Sequence, residues 1–145
     1  MAEYSFGMLQ TVAEDENVLF LDGERACHKG YVTHRQGGGL FRLKGANKCG
    51  NTIYRVTFNA NIAAAEDGGT IPDDGVRIAL QEDGETLQNA VAIVTAASVG
   101  DFFNVSLSTF IVIPCGCCVT ISVENISDGT AIDVSNANII IDRVA

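Results

Sequence analysis

The sequence predicts an all-β fold, a jelly-roll β-sandwich of about ten antiparallel strands. Apolar and polar residues alternate with a period of two over several short segments, a pattern that strands produce and helices do not. Many of the 15 glycines lie beside Asp or Asn, which indicates frequent tight turns. Only 7% of the residues are aromatic and Trp is absent, so the predicted core consists mainly of Val, Ile, Leu and Ala.

The clearest alternation runs through residues 103–124. In the first arm, Val105, Leu107 and Ile111 fall on one side of an extended chain, and in the second arm Val119 and Ile121 do the same. Residues 114–118 lie between the arms and contain Pro and Gly, which are tolerated in a turn. We therefore predict a β-hairpin with one apolar face, which a second layer must cover.

The other strands are shorter, and Asp83-Gly84 marks a tight hairpin turn between two of them. Residues 54–62 have the longest unbroken alternation, which is typical of a central strand. We predict strands at residues 18–21, 31–34, 40–43, 54–62, 76–80, 87–97, 132–134 and 137–144.

Two of these strands carry the predicted subunit contacts. In the last strand three consecutive isoleucines make both faces apolar, so it lies either between two layers or against another subunit. In residues 87–97, small side chains let a further layer come close. The candidate trimer-interface residues are Ile139, Ile140, Ile141, Ala90, Ala92 and Val94.

Residues 1–16 form an N-terminal arm in this interpretation, and residues 17–145 form the jelly-roll domain. Apolar side chains in the arm are scattered among polar ones, so no core strand is expected there. Such side chains either pack on their own domain or dock on a neighbour. Tyr4, Phe6, Met8 and Leu9 are the candidates for docking to a larger assembly.

The net charge of −9 is unevenly distributed. Between Arg25 and Ala65 there is no Asp or Glu, whereas this stretch holds seven Lys and Arg residues. That layout suits subunit contacts, but we favour the simpler interpretation of a solvated face. The stretch lacks helix-turn-helix, zinc-finger and RNP patterns, so we expect no nucleic-acid partner.

Five cysteines, an odd number, exclude complete pairing within the chain. A zinc site drawn from Cys27, His28, Cys49 and the thiols of residues 115–118 is chemically reasonable, because zinc selects thiolate and imidazole. Cys115 and Cys118 are the only pair near the usual ligand spacing, so we favour a thiol-rich turn without metal. The acidic loop at residues 65–75 lacks the EF-hand spacing and is predicted to be solvated rather than a calcium site.

No catalytic motif is present. The chain lacks the G-x-S-x-G, H-E-x-x-H and Rossmann glycine patterns, and the triple glycine at residues 37–39 lacks the end of a phosphate-binding loop. Cys27 could pair with His28 or His34 as nucleophile and base, but neighbouring residues of a strand point to opposite faces. We therefore predict a non-enzymatic protein without a cofactor.

Two regions of the sequence are similar to a known family. Residues 137–145 (ANIIIDRVA) resemble the closing strand of the collagen-like spore-surface glycoproteins of the BclA type. Residues 54–61 (YRVTFNAN) resemble the central strand of that family. The pair Asp83-Gly84 and residues 76–80 and 90–95 resemble its next hairpin. The likeness covers residues 39–145.

This resemblance implies the jelly roll of complement C1q and tumour necrosis factor (TNF), and a homotrimer in which one sheet of each subunit packs round a threefold axis. The chain has no Gly-X-Y collagen stalk, unlike the spore proteins. With a short arm instead, it is similar to small structural proteins of tailed phages, in which jelly-roll trimers decorate the capsid.

The expected function is therefore non-enzymatic decoration or stabilisation of a larger assembly, most simply a bacteriophage capsid. The expected partners are further copies of the chain and a capsid or surface-layer protein. The alternative is a receptor- or glycan-binding knob of a phage fibre or of a bacterial spore or cell surface. No signal peptide or membrane span is evident, so we expect synthesis in the host cytoplasm and no membrane partner. The expected location is the virion surface or, alternatively, a spore or cell surface.

Overall fold

The computed structural model describes residues 1–21, 30–46 and 50–145, and within them it contains ten β-strands and no helix. None of these described residues belongs to a helix that could cross a membrane. In chain order the strands are β1 (Ala2–Phe6), β2 (Gln10–Val12), β3 (Val32–His34), β4 (Phe41–Lys44), β5 (Thr52–Ala64), β6 (Val76–Glu82), β7 (Glu85–Val94), β8 (Phe103–Ile113), β9 (Cys118–Asn125) and β10 (Ile132–Arg143).

The strands form two antiparallel sheets of five strands each. Sheet A has the order β1-β10-β5-β8, with β2 also pairing with β10. Sheet B has the order β3-β4-β9-β6-β7. The all-β jelly roll predicted from the sequence is confirmed.

One hydrophobic core lies between the two sheets. In β5 the even-numbered residues from Tyr54 to Ile62 are buried, and the alternation in sequence therefore identifies the inner face correctly. Aromatic rings connect the layers: Phe20 packs edge-on against Phe41 of sheet B at 5.2 Å between centroids and against Phe58 of sheet A at 6.2 Å.

The predicted hairpin at residues 103–124 is wrong. Its two arms are strands with the predicted inner faces, but β8 pairs with β5 in sheet A whereas β9 pairs with β4 and β6 in sheet B. The turn between them, closed by a hydrogen bond from Cys117 N to Pro114 O at 3.1 Å, crosses from one sheet to the other. The arms lie in opposite layers, because two strands with one apolar face each can bury those faces equally well in different sheets.

The N-terminal region is part of sheet A. β1 pairs with β10 from Ala2 opposite Ile141 to Phe6 opposite Ala137, and β2 pairs with the other end of β10. The expectation that residues 1–16 contain no core strand is therefore wrong. The apolar residues look scattered because each of these strands is only three to five residues long, too short to establish a period.

The two C-terminal strands predicted from the sequence are one strand, β10, with a β-bulge between Ser135 and Asn138. Asn136 lies in the bulge with φ of 55°, a left-handed conformation that Asn tolerates better than most residues. The extra residue changes the phase of the alternation, which explains why the sequence suggested a break at this point.

The hairpin predicted at Asp83-Gly84 is confirmed. Glu82 pairs with Glu85, and both turn residues have positive φ, 50° for Asp83 and 83° for Gly84. This conformation suits the twist of the flanking strands β6 and β7.

The strand predicted at residues 18–21 is not formed. Val18 N nevertheless donates a hydrogen bond to Val123 O at 2.8 Å, and the Val18 side chain is fully buried.

Candidate functional site

The outer face of sheet A differs in character from the rest of the molecule. Side chains of β5 and β8 that point away from the core lie directly opposite one another in the register. On β5 they are Ile53, Arg55, Thr57, Asn59 and Asn61, and on β8 they are Asn104, Ser106, Ser108, Phe110 and Val112. We call this surface, together with the outward residues of β10, the amide face.

A chain of side-chain amides crosses the amide face. Asn104 on β8 donates from Nδ2 to Asn61 Oδ1 on β5 at 3.2 Å, and Asn61 Nδ2 donates to Asn136 Oδ1 on β10 at 3.3 Å. Asn136 Nδ2 in turn donates to the carbonyl of Gly7 at 3.4 Å. In the next rows Thr57 and Ser108 share a hydrogen bond at 3.3 Å. These contacts hold the polar side chains flat against the sheet.

The amide face carries little charge. Among the ten outward residues of β5 and β8, all within the described chain, Arg55 alone is charged. Its Nη2 atom lies 3.1 Å from Asp142 Oδ2 on β10, so this charge is locally neutralised. A chain with net charge −9 thus presents one broad surface with almost no unpaired charge.

Apolar side chains are exposed at one end of the amide face. Phe110 is 63% exposed and Val112 is 49% exposed, and both lie on β8, an edge strand of sheet A. Val112 is opposite Ile53, whose backbone carbonyl also accepts a hydrogen bond from Val144 N, and Val144 is itself 47% exposed. The result is a contiguous apolar strip beside the uncharged polar rows.

An exposed aromatic beside a charge-poor polar surface is typical of a protein–protein interface. Charged groups must be desolvated at an interface, and their scarcity here lowers that cost. Among the described strands β8 pairs with β5 alone, so its other edge adds backbone donors and acceptors that a neighbouring chain can use. The amide face is therefore the candidate functional site.

The predicted trimer-interface residues do not share one surface in the structure. Ile139 and Ile141 are fully buried in the core, and Ala90 is 2% exposed. Ala92 and Val94 are partly buried and pack against the same core. Ile140 points outward, half-buried on the amide face, opposite Thr57 and Glu3. Both faces of β10 are indeed apolar here, but only Ile140 is placed for a subunit contact.

The docking residues predicted in the arm also differ in exposure. Tyr4 is 5% exposed and packs on Phe41 at 5.0 Å between centroids, so it belongs to the core rather than to the exposed part of the arm. Phe6 is partly buried against the core. Met8 and Leu9, in the connection between β1 and β2, are 73% and 59% exposed and remain candidates for docking.

Sequence reasoning missed Phe110 and Val112. The signal was present, because both residues continue the series that begins with Asn104, Ser106 and Ser108 on the solvent side of β8. Two large apolar residues on the solvent-facing side of a strand with otherwise regular alternation are an anomaly that indicates a contact surface. The apolar character of the whole second half of β8 masked this anomaly.

The structure describes only some of the residues in the thiol and histidine predictions. Cys115, Cys117 and Cys118 are exposed at the turn between the sheets, whereas Cys27, His28 and Cys49 lie outside the described residues. In the part of the chain that is described, no three His, Cys, Asp or Glu side chains are grouped to hold a metal ion. His34 stacks on Phe41 at 4.5 Å, and its Nε2 bonds to Gly38 O at 2.8 Å.

The sheet order and the inward-facing core define the chain as a TNF-like jelly roll. The crystal structure of rabbit GITRL, a TNF-family ligand, superposes with a TM-score of 0.54 at 15% identity, covering 100% of this chain and 95% of the rabbit chain. At this identity the likeness shows the fold alone.

Two further structures are less similar. The crystal structure of pika GITRL has a TM-score of 0.48 at 13% identity, with complete coverage of both chains. The xylan-binding domain CBM22-1 of Paenibacillus barcinonensis Xyn10C has a TM-score of 0.39 at 13% identity, covering 99% of this chain and 94% of that domain. No protein-family model matches the sequence, and no curated protein matches it.

Proposed function

We propose that this chain is a non-enzymatic structural subunit that forms a homotrimer through the amide face and that the trimer decorates or stabilises a larger assembly. The single observation that carries the proposal is the exposed strip at Phe110 and Val112 beside nearly uncharged rows on a chain of net charge −9. The trimer stoichiometry follows from the resemblance to C1q and TNF jelly rolls. Ile140, on the same face, joins the contact.

The proposed assembly is a bacteriophage capsid, with the trimer as a head decoration protein on the virion surface. Met8 and Leu9 support a docking role, because two large apolar side chains this exposed in one connection are costly unless a partner covers them. A capsid or surface-layer protein is the proposed partner.

Size-exclusion chromatography with light scattering tests the trimer. We expect a mass three times the 15.3 kDa of one chain, and a monomer mass for Phe110→Asp and Ile140→Asp, because each places an unpaired charge inside the contact. Ile93→Asp is the matched control, since Ile93 is 56% exposed on β7 of the other sheet.

A monomeric wild-type chain at micromolar concentration overturns the trimer. A trimer that persists in both amide-face variants, or one lost equally in Ile93→Asp, places the contact elsewhere. Far-UV circular dichroism of each variant shows whether the fold is retained, so loss of association is distinguished from unfolding.

Docking is tested by binding to empty capsids. Deleting residues 1–16 would remove β1 and β2 from sheet A, so the double substitution Met8→Ser with Leu9→Ser is the better variant. We expect it to remain trimeric and to lose capsid binding. Capsid binding unchanged by this substitution contradicts the docking role, and glycan-array binding by the free protein would favour the receptor-binding knob instead.

A further inference from the structure

A pocket of about 410 Å³ lies on the outer face of sheet B, on the side of the molecule away from the amide face. The strands β3, β4 and β9 run side by side at this point. The pocket is lined by Thr33, His34, Arg35, Leu40, Arg42 and Thr120. We call it the sheet-B pocket.

The strand register builds the floor of the sheet-B pocket. Thr33 on β3 lies opposite Arg42 on β4, and Arg42 lies opposite Thr120 on β9. The residues flanking this row, such as Phe41 and Ile121, point into the core, so the row itself points outward. Directly opposed side chains start about 5 Å apart, so a threonine lies on either side of the base of the Arg42 side chain.

No carboxylate among the described residues forms an ion pair with an arginine of the sheet-B pocket. Within the described residues the two ion pairs of arginine are Arg55 with Asp142 and Arg77 with Asp74, so neither Arg35 nor Arg42 has a carboxylate partner. Arg42 donates from Nη2 to Cys118 Sγ at 3.3 Å, and a thiol is only a weak acceptor. The other N–H groups of the guanidinium bond no further residue in the described part of the chain.

The surrounding charges favour an anion. Lys44, two residues beyond Arg42 on the same exposed face of β4, adds a third positive charge. The nearest carboxylate along β9 is Asp83, whose Oδ1 accepts a hydrogen bond from Thr120 N at 2.9 Å. Asp83 belongs to the turn after β6, and β6 lies on the opposite side of β9 from β4, so this carboxylate borders the pocket on the Thr120 side.

The pocket is also held in shape. The His34 ring stacks on Phe41 with an interplanar angle of 16° and bonds Gly38 O through Nε2, while Gly38 O also accepts a hydrogen bond from Phe20 N at 3.0 Å. These contacts fix the connection between β3 and β4, which carries Arg35 and Leu40. A site whose backbone is fixed loses less entropy when a ligand binds.

We propose that the sheet-B pocket binds the oxyanion group of a small organic acid, a carboxylate, sulfate or phosphate. The guanidinium groups of Arg35 and Arg42 donate to the oxyanion, as planar N–H forks do, and the hydroxyls of Thr33 and Thr120 supply further donors. Leu40, 55% exposed at the pocket, contacts the carbon skeleton of the ligand. This site is independent of the amide face.

The test is an NMR titration of the full-length ¹⁵N-labelled chain with sodium phosphate, sodium sulfate and sodium benzoate, each against sodium chloride at matched ionic strength. We expect saturable shifts of the amide signals at residues 33–42 and 119–121. We expect Arg42→Gln and Arg35→Gln each to bind the anion about tenfold more weakly, because each substitution removes about one charge-assisted hydrogen bond. Arg77→Gln, which removes an arginine already paired with Asp74, binds as the wild type does.

Benzoate distinguishes an organic acid from a free inorganic anion, because only benzoate has an apolar part to contact Leu40. Saturation by benzoate at lower concentration than by phosphate supports the proposal, and Leu40→Ser should remove that advantage. Shifts that stay linear with concentration, saturation by the inorganic anions alone, or equal binding by Arg42→Gln and Arg77→Gln overturns it. Both arginines are exposed, and a retained amide spectrum shows that each variant is folded.

Discussion

The Tyr54 hydroxyl on β5 donates a hydrogen bond to the backbone carbonyl of Lys44 on β4, at 2.6 Å between oxygens. Tyr54 is fully buried, and it belongs to sheet A while Lys44 belongs to sheet B. One side chain therefore spans the core and satisfies the carbonyl at the end of a strand in the opposite layer.

We expect Tyr54→Phe to lower the free energy of unfolding by about 1–2 kcal/mol, because it leaves a carbonyl without this partner while the ring still fills its space. Urea denaturation at a fixed chain concentration measures the change. Tyr31→Phe is the control, since Tyr31 contacts Arg143 through its ring at 4.7 Å. Equal effects of the two substitutions would show that the bond between the sheets contributes nothing.

Asn125 at the end of β9 is fully buried and uses its whole amide. Its Nδ2 donates to Val12 O at 3.1 Å and Thr130 O at 3.0 Å, and its Oδ1 accepts from Ser127 N at 3.0 Å. We expect Asn125→Ala to cost about 3 kcal/mol, since three buried backbone groups lose their partner at once. Asn89→Ala, at an exposed residue with a single hydrogen bond, should cost under about 1 kcal/mol in the same urea experiment.

The β-bulge at Asn136 is tested by a pair of substitutions. Both Asn136→Gly and Asn136→Val remove the amide contacts, but only Val meets steric strain at φ of 55°. We expect Val to be less stable than Gly by about 1–2 kcal/mol, the cost of a left-handed conformation. Thermal unfolding of the two variants side by side measures this difference, and equal stability would mean that the bulge relaxes.

Glu82 makes stability depend on pH. Burial raises the pKa of its carboxyl above the ordinary value of 4.5, and the neighbouring Asp83 carboxylate raises this pKa further. The folded chain then holds the proton more tightly than the unfolded chain, so stability is lost as the pH rises from 4.5 through the raised folded pKa.

We expect Glu82→Gln to raise the melting temperature at pH 7 and to have progressively less effect towards pH 4, where wild-type Glu82 is itself protonated. Glu14→Gln removes an exposed carboxyl of the same charge and controls for the change in net charge. A gain for Glu82→Gln that is the same at both pH values would contradict the assignment. Differential scanning calorimetry measures all of these transitions.

The amide face shows how far the sequence alone could lead. The alternation in β8 identifies which residues point away from the core, and Phe110 and Val112 were therefore available as an anomaly on its solvent side. That β5 lies between β8 and β10, so that asparagines 104, 61 and 136 meet, depends on strand pairing between residues up to 75 positions apart. No local pattern contains that information.

The sequence by itself determined the all-β class, the inner and outer sides of β5, β8 and β9, and the Asp83-Gly84 hairpin, because side-chain direction and turn conformation depend only on neighbouring residues. Only the tertiary structure decided that β8 and β9 separate into different sheets, that β1 completes sheet A, and that Ile139 and Ile141 face the core while Ile140 faces outward. The physical reason is that strands pair through backbone hydrogen bonds, which are nearly the same for every sequence. The choice of neighbours therefore comes from packing the whole core.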